Sequence, residues 1–388
     1  MSSTETRHLE AVPITEGGHH FFGYYDKCPW NASGRYHLGL KVDVYGRQPN
    51  ADEAAIIGMI DTEDGNRWIE LTRSYAWSWQ QGTMVQWLPS DPESSIIYNA
   101  RDGADFYSEI LNVHTGERRR LPRPIYSVTE TQALSLNFAR LAYTRPDCGY
   151  AGLSRAEQPP FHPTDDGVWT MDLETGESRI VVDLERLSQI DNTPEMEIWP
   201  TWVNHLTWSP DGSKFVFLHR YYRKDPKRHF STRFYVANAD GSGLVKLHDR
   251  TYFSHYCFAS NRVILGHGND EHGKKNYILF DLEDGSETVY GDDIFQSDGH
   301  CTYSPDGEWL LTDTYPDADR MQTLILCHVA TKRRIDIGRF SAPRELDGPI
   351  RCDLHPRFNR DGTKVSIDSV HSGARQMYVL DVADIVRG

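Results

Sequence analysis

HLTWSPDGSKFVFL, residues 205–218, is a short run ending in an aromatic, a Ser-Pro-Asp-Gly turn and a second run of alternating apolar side chains. That is the pattern of two antiparallel strands joined by a tight turn. The same sentence recurs as HCTYSPDGEWLLTD (300–313) and HPRFNRDGTKVSID (355–368), and with a shorter turn as HYCFASNRVILG (255–266). Aligned on the aromatic three residues after each histidine, upstream copies emerge at KCPWNASGRYHLGL (27–40), MVQWLPSDPESSIIY (84–98) and RPIYSVTETQALSLN (123–137).

A second marker, a strand closing in an acidic or glycine turn, repeats independently as IDTEDG (60–65), LNVHTG (111–116), MDLETG (171–176), VANADG (236–241) and FDLEDG (280–285). CHVATK (327–332) and VLDVAD (379–384) are degenerate versions that bring this series also to seven. Seven units of strand and turn, with no long amphipathic helix, predict an all-β fold, a seven-bladed β-propeller of four-stranded blades spanning 1–388 as one domain. The longest interval between units holds YTRPDCGYAGLSRAEQPPFHPTDDG (143–167), expected as a loop insertion over one face and a wall of a binding site.

The 388 residues carry 41 Lys+Arg against 56 Asp+Glu, a net charge of −15, which argues against a general nucleic-acid or anionic-membrane binder. No apolar run approaches the roughly 20 residues that span a bilayer, and the N-terminus lacks the basic start and apolar core of a secretory signal. The expected location is the cytoplasm, where the six cysteines stay free thiols.

Equivalent blade positions ring the propeller axis. Here they read Lys27, Met84, Arg123, His205, His255, His300 and His355. Four consecutive histidines at one register, in a chain with only 17, predict a polar axial site for a divalent metal, an anionic substrate or both. Imidazole with a carboxylate suits Mn²⁺, Zn²⁺, Fe²⁺ or Ni²⁺ better than Ca²⁺. Asp353 and His355 share a face if extended, and with His255 and His300 they form the candidate ligand set. Cys257, on the face of His255, is a further Zn²⁺ candidate, though a buried thiol is the plainer reading.

These residues resemble the β-propeller polysaccharide lyases, most of all oligogalacturonate lyases, through NHLTWSPDG, FSHYCF, DGHCTYSPDG and the closing LHPRFNRDGTKVSIDSVHSGARQMYVLDV. The resemblance implies that blade-start histidines hold Mn²⁺. The family's last blade reads His-Pro-His-Pro after a Gln ligand. This chain has Asp353-Leu354-His355-Pro356 there, and Ile350 in place of the Gln. The segment GHHFFGYYDKCPWNASGRYHL is also similar to the start of ulvan lyases and related enzymes of rhamnose–glucuronate linkages, which adds His19 or His20 and His37 as catalytic candidates.

The implied activity is β-elimination on uronate-containing oligosaccharides. Such a reaction needs cations to neutralise the uronate carboxylate, a base for the C5 proton and an acid for the leaving oxygen. His205 is the candidate base or acid. Lys27, Arg123, Arg140 and Arg233 are the candidate cations, and Tyr24, Tyr25, Trp77, Trp79, Tyr150 and Tyr315 the candidate sugar-stacking aromatics; Trp87 and Trp208 read as packing between blades. The expected partner is an anionic oligosaccharide, with no nucleic acid and no membrane. The alternatives are a glycoside hydrolase on the same fold and a non-enzymatic binding propeller.

Overall fold

Ser-Pro-Asp-Gly turns work because the serine and aspartate side chains replace backbone partners while glycine takes a left-handed conformation. In residues 209–214, Ser209 Oγ donates to Asp211 at 2.7 Å and Gly212 sits at φ +69°. The turn closes the first two strands of a sheet, Trp202–Trp208 and Lys214–Tyr222, with Trp208 opposite Phe215. The acidic turns join the third strand to the fourth, as between Lys275–Asp281 and Glu287–Tyr290. The computed structural model describes residues 4–151, 158–190, 192–224 and 230–388.

Seven such sheets follow in chain order, each antiparallel and four-stranded, giving the seven-bladed propeller that the repeats predict. Their first strands are His19–Phe21, Gln86–Trp87, Ser127–Val128, Trp202–Trp208, Phe253–Phe258, Thr302–Tyr303 and Arg357–Phe358. The ring is closed by exchange. Val12–Pro13 is the outer strand of the seventh blade, paired with Gln376–Asp381, and Thr4–Thr6 adds to blade six in parallel with Arg333–Ser341. Burial lies between facing sheets, where aliphatic and aromatic side chains form a series of clusters around the ring. No described helix is long and apolar enough to cross a membrane.

Two blades start elsewhere than the repeat implies. In blade three the pair closing the turn is Val128 and Ala133, so Val128, not Tyr126, stands where Trp208 does in blade four. A turn shorter by two residues shifts the register, and the position equivalent to His205 is Ile125 rather than Arg123. Blade one begins at His19–Phe21 and not at Lys27. After Phe21 the chain leaves the sheet and returns only at Trp30, bridged to His37.

The intervening excursion carries Tyr24 and Tyr25 to the axis. It is tied down by buried Asp368, which accepts from the amides of Phe22 and Gly23, and by buried Arg357, which donates to Asp368 and to the carbonyls of Gly23 and Tyr24. Gly23 adopts φ +124°, and a Cβ there would meet the Gln81 carbonyl carbon at 2.9 Å. The crossing needs glycine on both counts.

Candidate functional site

Histidines reach the axis because the inner strands bulge beneath them. The pairing of blade four skips between Asn204 and Thr207, and that of blade five between Phe253 and Tyr256. His205 and His355 take left-handed backbone, φ 51° and 43°, and Met84 does the same in blade two. A bulge of this kind re-aims one side chain out of the alternation of its strand. The result is a cavity of about 430 Å³ at one end of the channel. His205, His255, His300 and His355 share its walls with Tyr24, Tyr315, Arg145, Arg220, Arg351, Lys275, Tyr252 and Asp298.

His300, Asp353 and His355 each offer a donor atom, all within 4.8 Å of one another and all buried. His300 Nδ1 is 2.9 Å from Asp313, which leaves Nε2 without a partner, and Nε2 of His355 is also unpartnered. Asp353 Oδ2 lies 2.7 Å from Arg351 Nε in an ion pair that lacks hydrogen-bond alignment. Buried polar atoms without partners are costly, and a carboxylate behind a ligating imidazole is the usual support of a metal site. The residues present therefore fit a divalent cation with mixed nitrogen and oxygen donors. Burial opposes charging of His300, but Asp313, Asp353 and Asp298 outweigh it, and the net direction is upward.

His255 stands beside this triplet rather than in it. Its ring is 4.1 Å from His300, but Nδ1 turns to Asp298 at 3.1 Å. Asp298 also faces His267 at 3.5 Å and accepts from Tyr252 at 2.7 Å. Burial alone would push its carboxyl up; His255 and His267 pull it down, and the net direction is downward.

On the other side, Tyr24 stacks on His205, ring centroids 5.0 Å apart, with its hydroxyl 2.6 Å from Nδ1. The Tyr126 hydroxyl is 3.0 Å from the same nitrogen and accepts from Gln81. Burial, then Arg220, holds His205 well below the ordinary imidazole range, so it is neutral; burial pushes the Tyr24 phenol up. Arg220 is buried too, with Nε on Thr232 and its guanidinium over Phe230, and meets no carboxylate within ion-pair distance among the described residues. Burial and Arg145 bring it down to about 10.

The remaining sequence candidates stand elsewhere. Arg123, displaced by the register shift, packs over Trp169 and bonds Ser178. Lys27 is paired with Asp26 in the larger cavity at the opposite end of the channel. Arg140 is consumed by Asp166 and the carbonyls of Thr201 and Pro160, where it clamps the insertion. Arg233 follows Thr232 on the same strand and points to the opposite face, against Met196 and Tyr221. His37 packs on Trp30 and bonds the Leu38 carbonyl, and His20 packs on Trp68; neither lines the cavity. Tyr150 stacks on Phe138 inside the insertion and accepts from Asn99. Tyr25 lies against His300 and His255, but its hydroxyl is taken by the Tyr256 backbone and it does not line the cavity. Trp77 and Trp79 are buried against Phe21. Cys257 meets Cys301, sulfur to sulfur 3.7 Å, below the site; all six cysteines are free.

Sequence reading missed Arg145, Arg220, Lys275, Arg351 and Asp298. Arg145 comes from the insertion, whose residues 152–157 lie outside the described set. Arg220 and Lys275 come from second and third strands, where no repeat register marks them. Arg351 was open to discovery, since it shares the parity of Asp353.

No protein-family model matches the chain, and no curated protein matches it. Among solved structures, an oligogalacturonate lyase in complex with manganese superposes with a TM-score of 0.70 at 14% identity, covering 100% of this chain and 97% of that one. An oligogalacturonate lyase from Vibrio parahaemolyticus gives 0.66 at 14% identity, over 96% and 94%. A puromycin-hydrolyzing peptidase of Mycobacterium tuberculosis gives 0.53 at 11% identity, over 97% of this chain and 55% of that one. These likenesses show a propeller fold related to that of the oligogalacturonate lyases.

Proposed function

We propose that this protein is a lyase that cleaves uronate-containing oligosaccharides by β-elimination with a divalent metal, Mn²⁺ first, held by His300, Asp353 and His355. The observation that carries the reading is the meeting of that donor triplet, a cationic wall and the Tyr24–His205 pair in one cavity. The manganese complex of a structural neighbour supports the choice of ion.

A uronate resists loss of its C5 proton because its carboxylate is already negative. When bound, the metal supplies Lewis-acid stabilisation of charge on the carboxylate. Arg220, which meets no carboxylate within ion-pair distance among the described residues, receives the remaining charge, and its burial in a low-dielectric wall makes it effective there; Arg145, half-buried in the same wall and paired with Asp147, adds to the positive field.

Tyr24 and His205 move the proton. The Tyr24 hydroxyl, the nearer of the two at 2.6 Å, donates to His205 Nδ1, which leaves the ring hydrogen on Nε2, while Tyr126 accepts from Gln81 beside them. The C5 proton passes to the Tyr24 oxygen while the phenolic proton passes to Nδ1. The Nε2 proton then goes to the departing glycosidic oxygen, and the electron pair of the C5–H bond becomes the C4–C5 double bond. A neutral His205 is a weak acceptor beside two arginines. Binding of an anionic substrate offsets their field and raises its basicity only when substrate is present.

The test is a panel of galacturonate, glucuronate–rhamnose and alginate oligomers with mass spectrometry of the products. Elimination leaves the fragment that carries the new unsaturated non-reducing end lighter by one water than its hydrolytic counterpart, the other fragment being the same in both. A hydrolytic mass pattern across the panel would replace this reading with the hydrolase.

A further inference from the structure

Large apolar side chains left in solvent carry little meaning singly, but Ile190, Ile198 and Trp199, 36%, 43% and 44% exposed, fall within one ten-residue stretch. The turn bearing the last two is anchored to the protein. Met196 is fully buried and gripped by Arg233 Nη1 at 3.5 Å, while the amides of Ile198 and Trp199 both donate to the Glu195 carbonyl at 3.2 Å. An anchor that pulls Met196 inward presents the next apolar pair outward in a fixed pose.

A relay of rings joins that pair to the cavity wall. The Trp199 ring is 6.2 Å from Tyr222, which is 5.0 Å from Trp202, which is 5.9 Å from Phe230. Phe230 is part of the cavity wall, beneath the guanidinium groups of Arg145 and Arg220 at 4.6 and 4.8 Å. The Tyr222 hydroxyl donates to the Thr144 carbonyl and ties the rim to the insertion. In the same stretch of chain Asn192 donates to Glu197 at the surface.

We propose that Trp199, flanked by Ile198, is a secondary sugar-stacking subsite that holds the pyranose rings of an oligosaccharide extending out of the cavity. The inference rests on the lyase reading for the identity of the sugar, and on the geometry of the rim for its place. The indole offers a flat apolar face to pyranose C–H bonds and an N–H to a hydroxyl. Three part-exposed side chains fall far short of the roughly 800 Å² that each side of a stable protein interface buries, and the ring relay links them to the wall of a polar, cationic pocket. Both facts favour a narrow ligand chain over a protein partner.

The experiment compares wild type with Trp199→Ala on galacturonate oligomers of two and six units, by kcat/KM and by tryptophan fluorescence. Wild type is expected to favour the longer substrate, and Trp199→Ala to lose that preference by roughly 3- to 10-fold while cleaving the dimer as wild type does. Fluorescence quenching by the hexamer, absent in the variant, is the matching binding signal. Equal length preference in both proteins overturns the subsite. So does a concentration-dependent self-association that Trp199→Ala abolishes, which would make the patch a contact between copies. If wild type cleaves neither oligomer, the comparison is repeated on the glucuronate–rhamnose and alginate oligomers; cleavage of none of them means that the lyase reading has failed, and absence of quenching by every hexamer in wild type overturns the subsite.

Discussion

The Tyr24 hydroxyl lies 2.6 Å from Nδ1 of His205, and the two rings stack with centroids 5.0 Å apart, although 181 residues separate them in the chain. Gly23 and the Asp368–Arg357 pair fix the tyrosine, and a strand bulge fixes the histidine. If this pair moves the substrate proton, Tyr24→Phe keeps the stack and removes the relay. Its kcat should fall by about 10²- to 10⁴-fold, with KM little changed and the thermal melt close to wild type. A variant with wild-type kcat would take Tyr24 out of the mechanism.

The proposed metal site includes His355, whose φ of 43° only a few residue types accept readily. Asparagine tolerates that backbone, so His355→Asn removes the imidazole with little added strain. Titration calorimetry of the purified chain with Mn²⁺ should show one ion bound per wild-type chain and lose that binding in His355→Asn. Undiminished affinity in the variant would put the ion elsewhere.

Gly23 has no room for a side chain. Gly23→Ala would force a Cβ to 2.9 Å from the Gln81 carbonyl carbon at φ +124°, a cost of about 1–3 kcal/mol. Activity should fall together with the melting temperature, because the same shift displaces Tyr24. A variant with the wild-type melt and wild-type rate would show that the crossing segment is not held as described.

Arg220 and Arg123 separate pocket cations from structural ones. Arg220→Gln should raise KM and lower kcat on anionic oligomers, whereas Arg123→Gln, away from the cavity over Trp169, should leave both near wild type. Steady-state kinetics of the two variants side by side decides it. Loss of activity in Arg123→Gln at an unchanged melting temperature would return that residue to the site.

Acid should destabilise the fold through its buried neutral histidines. Burial, then Arg357, brings His37 down to about 3, and burial, then Lys41, brings His20 down to about 4, from an ordinary 6.5. Below pH 6.5 the unfolded chain takes up protons that the native state refuses. The stability present above that pH is therefore lost progressively as pH falls toward 3. At pH 5 His37 alone accounts for a loss on the order of 2 kcal/mol. Urea unfolding at pH 7 and pH 5 should show the drop, and His37→Phe should show a smaller one. An equal drop in the variant would absolve His37.

The blades were legible because SPDG, SNR and NRDG turns leave the same residues at the same places whenever a hairpin repeats. The axial histidines followed, since each keeps a fixed distance from its turn. Arg123 was misplaced because the turn of blade three is shorter by two, and Lys27, although it keeps its distance from the turn, was misplaced because the inner strand of blade one leaves the sheet between Phe21 and Trp30. Arg220 and Asp298 carry no repeat signature, because they reach the cavity from a second strand and a loop. What makes them matter is spatial: no carboxylate among the described residues reaches ion-pair distance of Arg220, and two imidazoles converge on Asp298.

The central claim is elimination on a uronate with the metal in the His300–Asp353–His355 site. It is tested most directly by following the ultraviolet absorbance of an unsaturated uronate while the purified protein acts on digalacturonate, first as prepared, then after chelation, then after Mn²⁺ is restored. The account predicts a rise that chelation abolishes and Mn²⁺ returns, and that His355→Asn lacks throughout. A rise of equal rate in chelated protein, or none in the Mn²⁺-loaded protein across all uronate oligomers, would contradict it.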